Sequence, residues 1–242
     1  MTDIRTDVPM DIHPGVLLEH QDTLGIPETM GPAVLHSGHA ALSTIYETIG
    51  KLNDANAAWE ATAPKKVVMK GSVPTATSLP SPELISAAER AFATSAKFVD
   101  THVQGLNRSI GAIETLVTNA VMGTSLTPLA AEIRSHVKSV KDSEARLAFI
   151  HGLVHEGKQQ DVAAILAAPS YLSGLTDAQK ETLREAAAHK FAPVAAKQLR
   201  AAREVASRVE RASGILITAF SKVIAKRDTP AAKATNAIKA LG

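Results

Sequence analysis

The chain has 242 residues, 45% of them apolar, a net charge of +2 and no cysteine. That is enough material for a core, and it excludes disulfides, thiolate metal sites and a cysteine nucleophile. Roughly one residue in six is alanine while aromatics make up 3%, a composition that favours closely packed helices over sheets filled by large side chains.

No stretch sustains period-two alternation in strand-forming residues, so the predicted fold class is all-α: a long-helix bundle with coiled-coil-like seams and a small central helical subdomain. Residues 1–32 contain Pro9, Pro14, Pro27 and Pro32 without a helical period, and read as an extended arm. Its acids Asp3, Asp7, Asp11, Glu19, Asp22 and Glu28 face only Arg5, whereas bases outnumber acids after Lys180. This asymmetry suits docking on a basic surface of the same chain or of a neighbour, with Val16, Leu17, Leu18, Leu24 and Ile26 as apolar anchors.

From residue 33 to about 60, Leu35, Leu42, Ile45, Ile49, Leu52 and Trp59 step by three and four, which predicts a first long helix. Asn56 falls on its seam as a polar residue, and Trp59 reads as a packing anchor near the helix end. Residues 62–81 are rich in Pro, Gly, Ser and Thr around the island Lys65-Lys66-Val67-Val68-Met69-Lys70. A plain crossover, an edge strand added to a neighbouring chain and a phosphate contact are all open to that island.

Residues 82–122 predict the longest helix, capped by Ser81 and closed at Gly123. At about 1.5 Å per residue it is longer than a small domain is wide, so it needs partners along its length. The steps from His102 to Leu106 to Ile110 are both four, a stutter in the seam. A first domain therefore covers 33–126, as a helical hairpin with its connection at 62–81.

The part from 127 to 192 reads as a small helical subdomain. It has one helix from Thr127 and Pro128 to about Val140 and another capped by Asp142 and Ser143 and stopped at Gly157. A short apolar turn over 162–167 follows, then a helix opened by the capping-box pattern Thr176-Asp177-Ala178-Gln179 and running to Phe191. Pro193 ends or kinks that helix. The last part, 193–242, predicts a long basic helix with the seam Leu199, Ala202, Val205, Val209, Ala212, Leu216, Phe220 and Val223, then a short terminal helix from Thr229. Around Ile215, Leu216 and Phe220 it is apolar nearly all round, which calls for burial in a bundle or at a subunit contact. Its bases, Arg200 and Arg208 foremost, stand opposite the seam. Acids such as Glu204 interleave with them, as in a surface laced with i,i+4 pairs more than in a nucleic-acid face.

No phosphate loop, dinucleotide glycine pattern or nucleophile elbow occurs. His36 and His39 lack a third ligand, and His151 and His155 lack the intervening glutamate of zinc-protease motifs, so His155 reads as a helix cap. Ser135 with Lys138 lacks companion motifs, and Glu181 with Glu185 sits among Lys180 and Arg184 as a charged surface does. No catalytic residue, cofactor or metal is expected. The longest uncharged run, 115–131, is too interrupted to span a bilayer, and the N-terminal residues show no secretory pattern.

The run Leu172-Ser173-Gly174-Leu175-Thr176-Asp177-Ala178-Gln179, continued by Leu183-Arg184-Glu185-Ala186 and Phe191-Ala192-Pro193, resembles segments of helical proteins of unassigned role from phage and prophage structural gene clusters. The resemblance covers roughly the middle quarter of the chain and transfers no functional residue. It implies a virion or assembly component located in the particle or the host cytoplasm, with other copies of itself or other virion proteins as partners. The expected function is thus a non-enzymatic structural subunit of a tailed-phage particle: head-to-tail, portal-associated or internal. The alternative is a helical protein that binds DNA or a partner through its basic C-terminal helix.

Overall fold

The computed structural model describes residues 4–62, 65–70, 73–78, 82–123 and 128–224, and these are predominantly helical. After two 3-10 turns, Met10–Ile12 and Pro14–His20, come α1 (Gln21–Leu24) and α2 (Gly31–Thr62). A strand pair, β1 (Lys65–Lys70) and β2 (Val73–Ser78), leads to α3 (Pro82–Met122). Then follow α4 (Ala130–Ser139), α5 (Ser143–His155), α6 (Gln159–Leu166), α7 (Ser170–Ser173), α8 (Asp177–Phe191) and α9 (Pro193–Ile224).

The boundaries show the local chemistry at work. Asp142 caps α5 by accepting from the Ala145 N–H at 3.0 Å. Thr176 and Gln179 form both bonds of the capping box at the start of α8, at 3.2 and 2.9 Å. α3 closes on Gly123 at φ +65, a left-handed residue whose N–H bonds back to Asn119. Past α8, Ala192 leaves the helical region at φ −138, and Pro193 opens α9 where its missing N–H costs nothing. The predicted cap Ser81 and the short terminal helix from Thr229 lie outside the described residues.

The island of 65–70 is not a plain crossover. It pairs antiparallel with 73–78 of the same chain, from Lys65 opposite Ser78 to Lys70 opposite Val73, as a hairpin inside an otherwise helical chain. Gly71 and Ser72, which stand between the paired strands in the sequence, lie outside the described residues.

The chain divides into two compact units, and neither matches the four domains expected from the sequence. One comprises the described residues of Met1–Glu19, Leu35–Leu106 and Val205–Gly242; the other comprises His20–Val34 and Asn107–Glu204. The expected boundaries followed loops, but α2, α3 and α9 each contribute to both units. On α3 the division falls at Leu106, within the predicted stutter.

In the first unit Leu42, Ile45, Ile49 and Leu52 of α2, Ile85, Ala88, Val99 and Leu106 of α3, and Val205, Val209, Ala212, Leu216 and Val223 of α9 are buried. The predicted seams are therefore covered largely within the chain. Small residues permit close approach: a Cβ on Gly38 of α2 would lie 2.4 Å from Val205 Cγ1 of α9, and one on Gly105 of α3 would lie 3.2 Å from Ser37 Oγ of α2. Buried Thr48 and Ser95 share a 2.6 Å hydroxyl bond between α2 and α3. Asn56, the predicted polar seam residue, is half-buried. It donates to Glu60 one turn on, at the exposed end of α2.

The second unit has a core of Val117, Val121, Val137, Ile150, Val154, Val162, Ile165, Leu166, Leu175, Leu183 and Ala187. Side chains that cap carbonyl groups hold its short helices together. Arg146 of α5 donates to the carbonyls of Val137 and Val140 at the end of α4 and of Gly174 after α7. Arg134 of α4 donates to Ala164, Lys180 of α8 to Ala168, and Gln159 of α6 to Ala120 of α3. Each bond goes to a carbonyl at or near a helix end, where intrahelical donors run out; Val137 also accepts from the Val140 N–H. Buried Gln198 of α9 donates to Thr23 O and Thr29 Oγ1, tying the segment before α2 to this unit.

Candidate interaction surfaces

The arm is not extended. Residues 5–19 coil into short turns on the first unit, with Val8, Ile12 and Leu17 buried. The Arg5 N–H donates to the hydroxyl of buried Tyr46 at 2.7 Å, and the His13 ring meets that tyrosine edge-on at 5.0 Å. The Arg5 guanidinium lies over Gly50 of α2, where a Cβ would come within 2.8 Å of it, and reaches Asp7 and Asp54 together. Hydrogen bonds from Arg5, then from Asn53, hold the Asp7 carboxyl below the usual carboxylate range, and Arg5 does the same for Asp54. The guanidinium is shifted up in turn, first by Asp54 and then by Asp7. The expectation of an extended arm is overturned, and of the two docking surfaces that the charge asymmetry suits, residues 5–19 take the one on their own chain, where apolar anchors and matching charges hold them.

The expected anchors divide accordingly. Leu17 and Leu24 are fully buried and Val16 is half-buried, so none of them presents an open docking surface. Leu18 is 73% exposed and Ile26 just over a third.

The basic face of α9 is met by carboxylates. Arg200 pairs with Glu204 at 3.4 Å and Arg203 with Glu114 at 2.7 Å in the second unit. Arg208 pairs with Glu19, and Arg211 with Asp11 at 3.4 Å, in the first. The charge asymmetry of the sequence thus resolves in part as arm acids on the chain's own helix. Arg208 takes the arm's Glu19, where the spacing suggested Glu204.

The apolar run of α9 is only partly covered. Leu216 is buried, Ile215 is half-buried and half-buried Phe220 stacks on Phe92 of α3 with centroids 4.2 Å apart, but Ile217 is 54% exposed. In the same unit Phe98 of α3 is 46% exposed beside His102. In the second unit Leu116, Leu129, Tyr171 and Val194 are more than half exposed.

His155 is the last residue of α5, followed by a left-handed Gly157 whose N–H bonds to Val154, which is the geometry of a helix end. His151, Ser135 and Lys138 are exposed, and Glu181 is paired with Arg184 at 2.7 Å. The sequence missed one contact: His36 meets His102 with ring centroids 6.1 Å apart, while His39 turns to Ser43. Two histidines from different helices leave no spacing signal. Among the described residues no group of three His, Cys, Asp or Glu could hold a metal ion. Nor is any helix among them long and apolar enough to cross a membrane.

No protein-family model, curated protein or solved structure matches the chain.

Proposed function

We propose that the protein is a non-enzymatic structural subunit of a larger assembly, and that its partners are further copies of itself or neighbouring structural proteins. The observation that supports this reading is the exposure of large apolar side chains on the helices of the first unit, Ile217 of α9 at 54% and Phe98 of α3 at 46%, next to buried Leu216 and the stacked Phe220 on α9. Large apolar side chains exposed on helices offer contact area that a partner surface can cover. Coiled-coil-like packing along the long helices belongs to the same reading. The assignment to a tailed-phage particle, in a head-to-tail, portal-associated or internal position, rests on the resemblance of the 172–193 segment.

Sedimentation at micromolar concentration tests the assembly reading. Association that Ile217→Asp weakens while helicity is kept would support it, and a compact, concentration-independent monomer would overturn it. Mass spectrometry of purified particles tests the phage assignment, which falls if the chain is in neither particles nor assembly intermediates. The alternative, DNA binding through α9, is disfavoured because Arg200, Arg203, Arg208 and Arg211 each have a carboxylate partner.

A further inference from the structure

We propose that residues 5–19 form a carboxylate-latched strap that opens in acid as a unit, ahead of the helices it covers. This inference does not depend on the assembly reading.

Three features carry it. First, four carboxylates hold arginines at the strap: Asp7 and Asp54 on Arg5, Asp11 on Arg211 and Glu19 on Arg208. Second, the strap has no long helical ladder of its own. It is made of 3-10 turns with three buried apolar anchors, Val8, Ile12 and Leu17, so side-chain contacts hold it against the entropy of the open segment. Third, the body beneath is joined by apolar packing and by the neutral Thr48–Ser95 bond, neither of which titrates in acid.

At the latch, among the described residues, Asp7 and Asp54 flank Arg5, Asn53 donates to Asp7, and the Tyr46 hydroxyl accepts from the Arg5 backbone N–H. Arg208 and Arg211 of α9 take Glu19 and Asp11. The other titratable group of the strap is His13, whose Nδ1 accepts from the Gly15 N–H at 3.0 Å.

The sign follows from linkage. Asp7 and Asp54 are held below their ordinary value of about 3.9, so their contribution is complete above that value. It is lost as the pH falls through the lowered folded-state values. Opening is therefore an event below about pH 4. It uncovers Tyr46 and the apolar side of α2 around it.

Hydrogen exchange read by mass spectrometry on the full chain, expressed as protection factors at pH 7 and pH 3, tests this. The strap should lose at least tenfold in protection at pH 3 while residues 35–52 and 205–223 keep theirs. The double variant Asp7→Asn with Asp54→Asn should open the strap at pH 7, and the control Asp100→Asn should not. Loss of strap and helices together in the acid series of the unaltered chain overturns the proposal, whether or not the double variant folds. So does a strap that stays protected at pH 3.

Discussion

The two units solve the same problem, fixing short segments to a helical framework, with opposite chemistry. In the first, a coiled arm is latched by carboxylates on arginines at the surface. In the second, α4 to α8 are fixed by cations and an amide that donate to main-chain carbonyls. Carboxylates titrate; carbonyl groups do not, and arginine keeps its charge at any pH a protein meets. The ion pairs of the first arrangement can be undone by acid or screened by salt, whereas undoing the second means breaking hydrogen bonds at helix ends.

The largest expected effect contrasts two adjacent residues of the first unit. Leu216→Asp would bury an unpaired carboxylate and should cost several kcal/mol, on the order of 3–5. Ile217→Asp places the same group in water and should leave chemical denaturation nearly unchanged. Equal losses would mean that the burial contrast on α9 is wrong.

Next is Arg146→Met in the second unit, which keeps much of the stem and removes the guanidinium donor from the Val137, Val140 and Gly174 carbonyls, of which Val137 keeps the Val140 N–H. A hydrogen bond from a charged group contributes about 1.5–3 kcal/mol, so a loss of roughly 3 kcal/mol or more is expected even if water recovers part of it. Exchange should rise over α4, α5 and the 170–176 segment. If destabilisation were below about 1 kcal/mol, the carbonyl caps would be decoration on a core that holds itself.

Gly38→Ala comes third. Its new methyl would meet Val205 at 2.4 Å, and overpacking of this kind costs about 1–3 kcal/mol. Thr176→Ala is smaller, at about 1 kcal/mol, because it removes one half of a capping box at an exposed helix start. Urea titration of each variant ranks them.

Much of the helical pattern could be read from the chain because its determinants are local. Thr176 and Gln179, Asp142, Gly123 and Pro193 act within a few residues, and each marked a boundary close to where the helix begins or ends. The arm was misread because its order comes from residues far away in sequence: Tyr46, Asp54 and Arg208 are invisible to a window that holds only prolines and acids. The hairpin was missed for the converse reason, since its cue is two residues long. Arg146 gave no signal at all, because an arginine bound for three carbonyls looks like one bound for solvent. For the interaction surface, the spacing marked Ile215, Leu216 and Phe220 as an apolar run. It could not show that Leu216 would face inward and that unremarked Ile217 would face out.

The smallest effect concerns the exposed arginines of the second unit, and it separates a structural surface from a nucleic-acid one. Arg200 and Glu204 are 80% and 50% exposed, and Arg203 and Glu114 are 63% and 44% exposed. Pairs this open contribute about 0.2–1 kcal/mol each, and salt screens them, so Arg200→Ala with Arg203→Ala should shift the urea midpoint only slightly and less still in high salt. A DNA-binding α9 makes a different demand: affinity that falls steeply with salt, and a shallower salt slope once the two arginines are gone. The carboxylate partners already occupy those guanidinium groups, and a phosphate would have to displace them. The expected outcome is no measurable DNA binding at low salt for either the unaltered chain or the double variant. Strong binding that the variant weakens would instead assign the exposed half of α9 to phosphate contact.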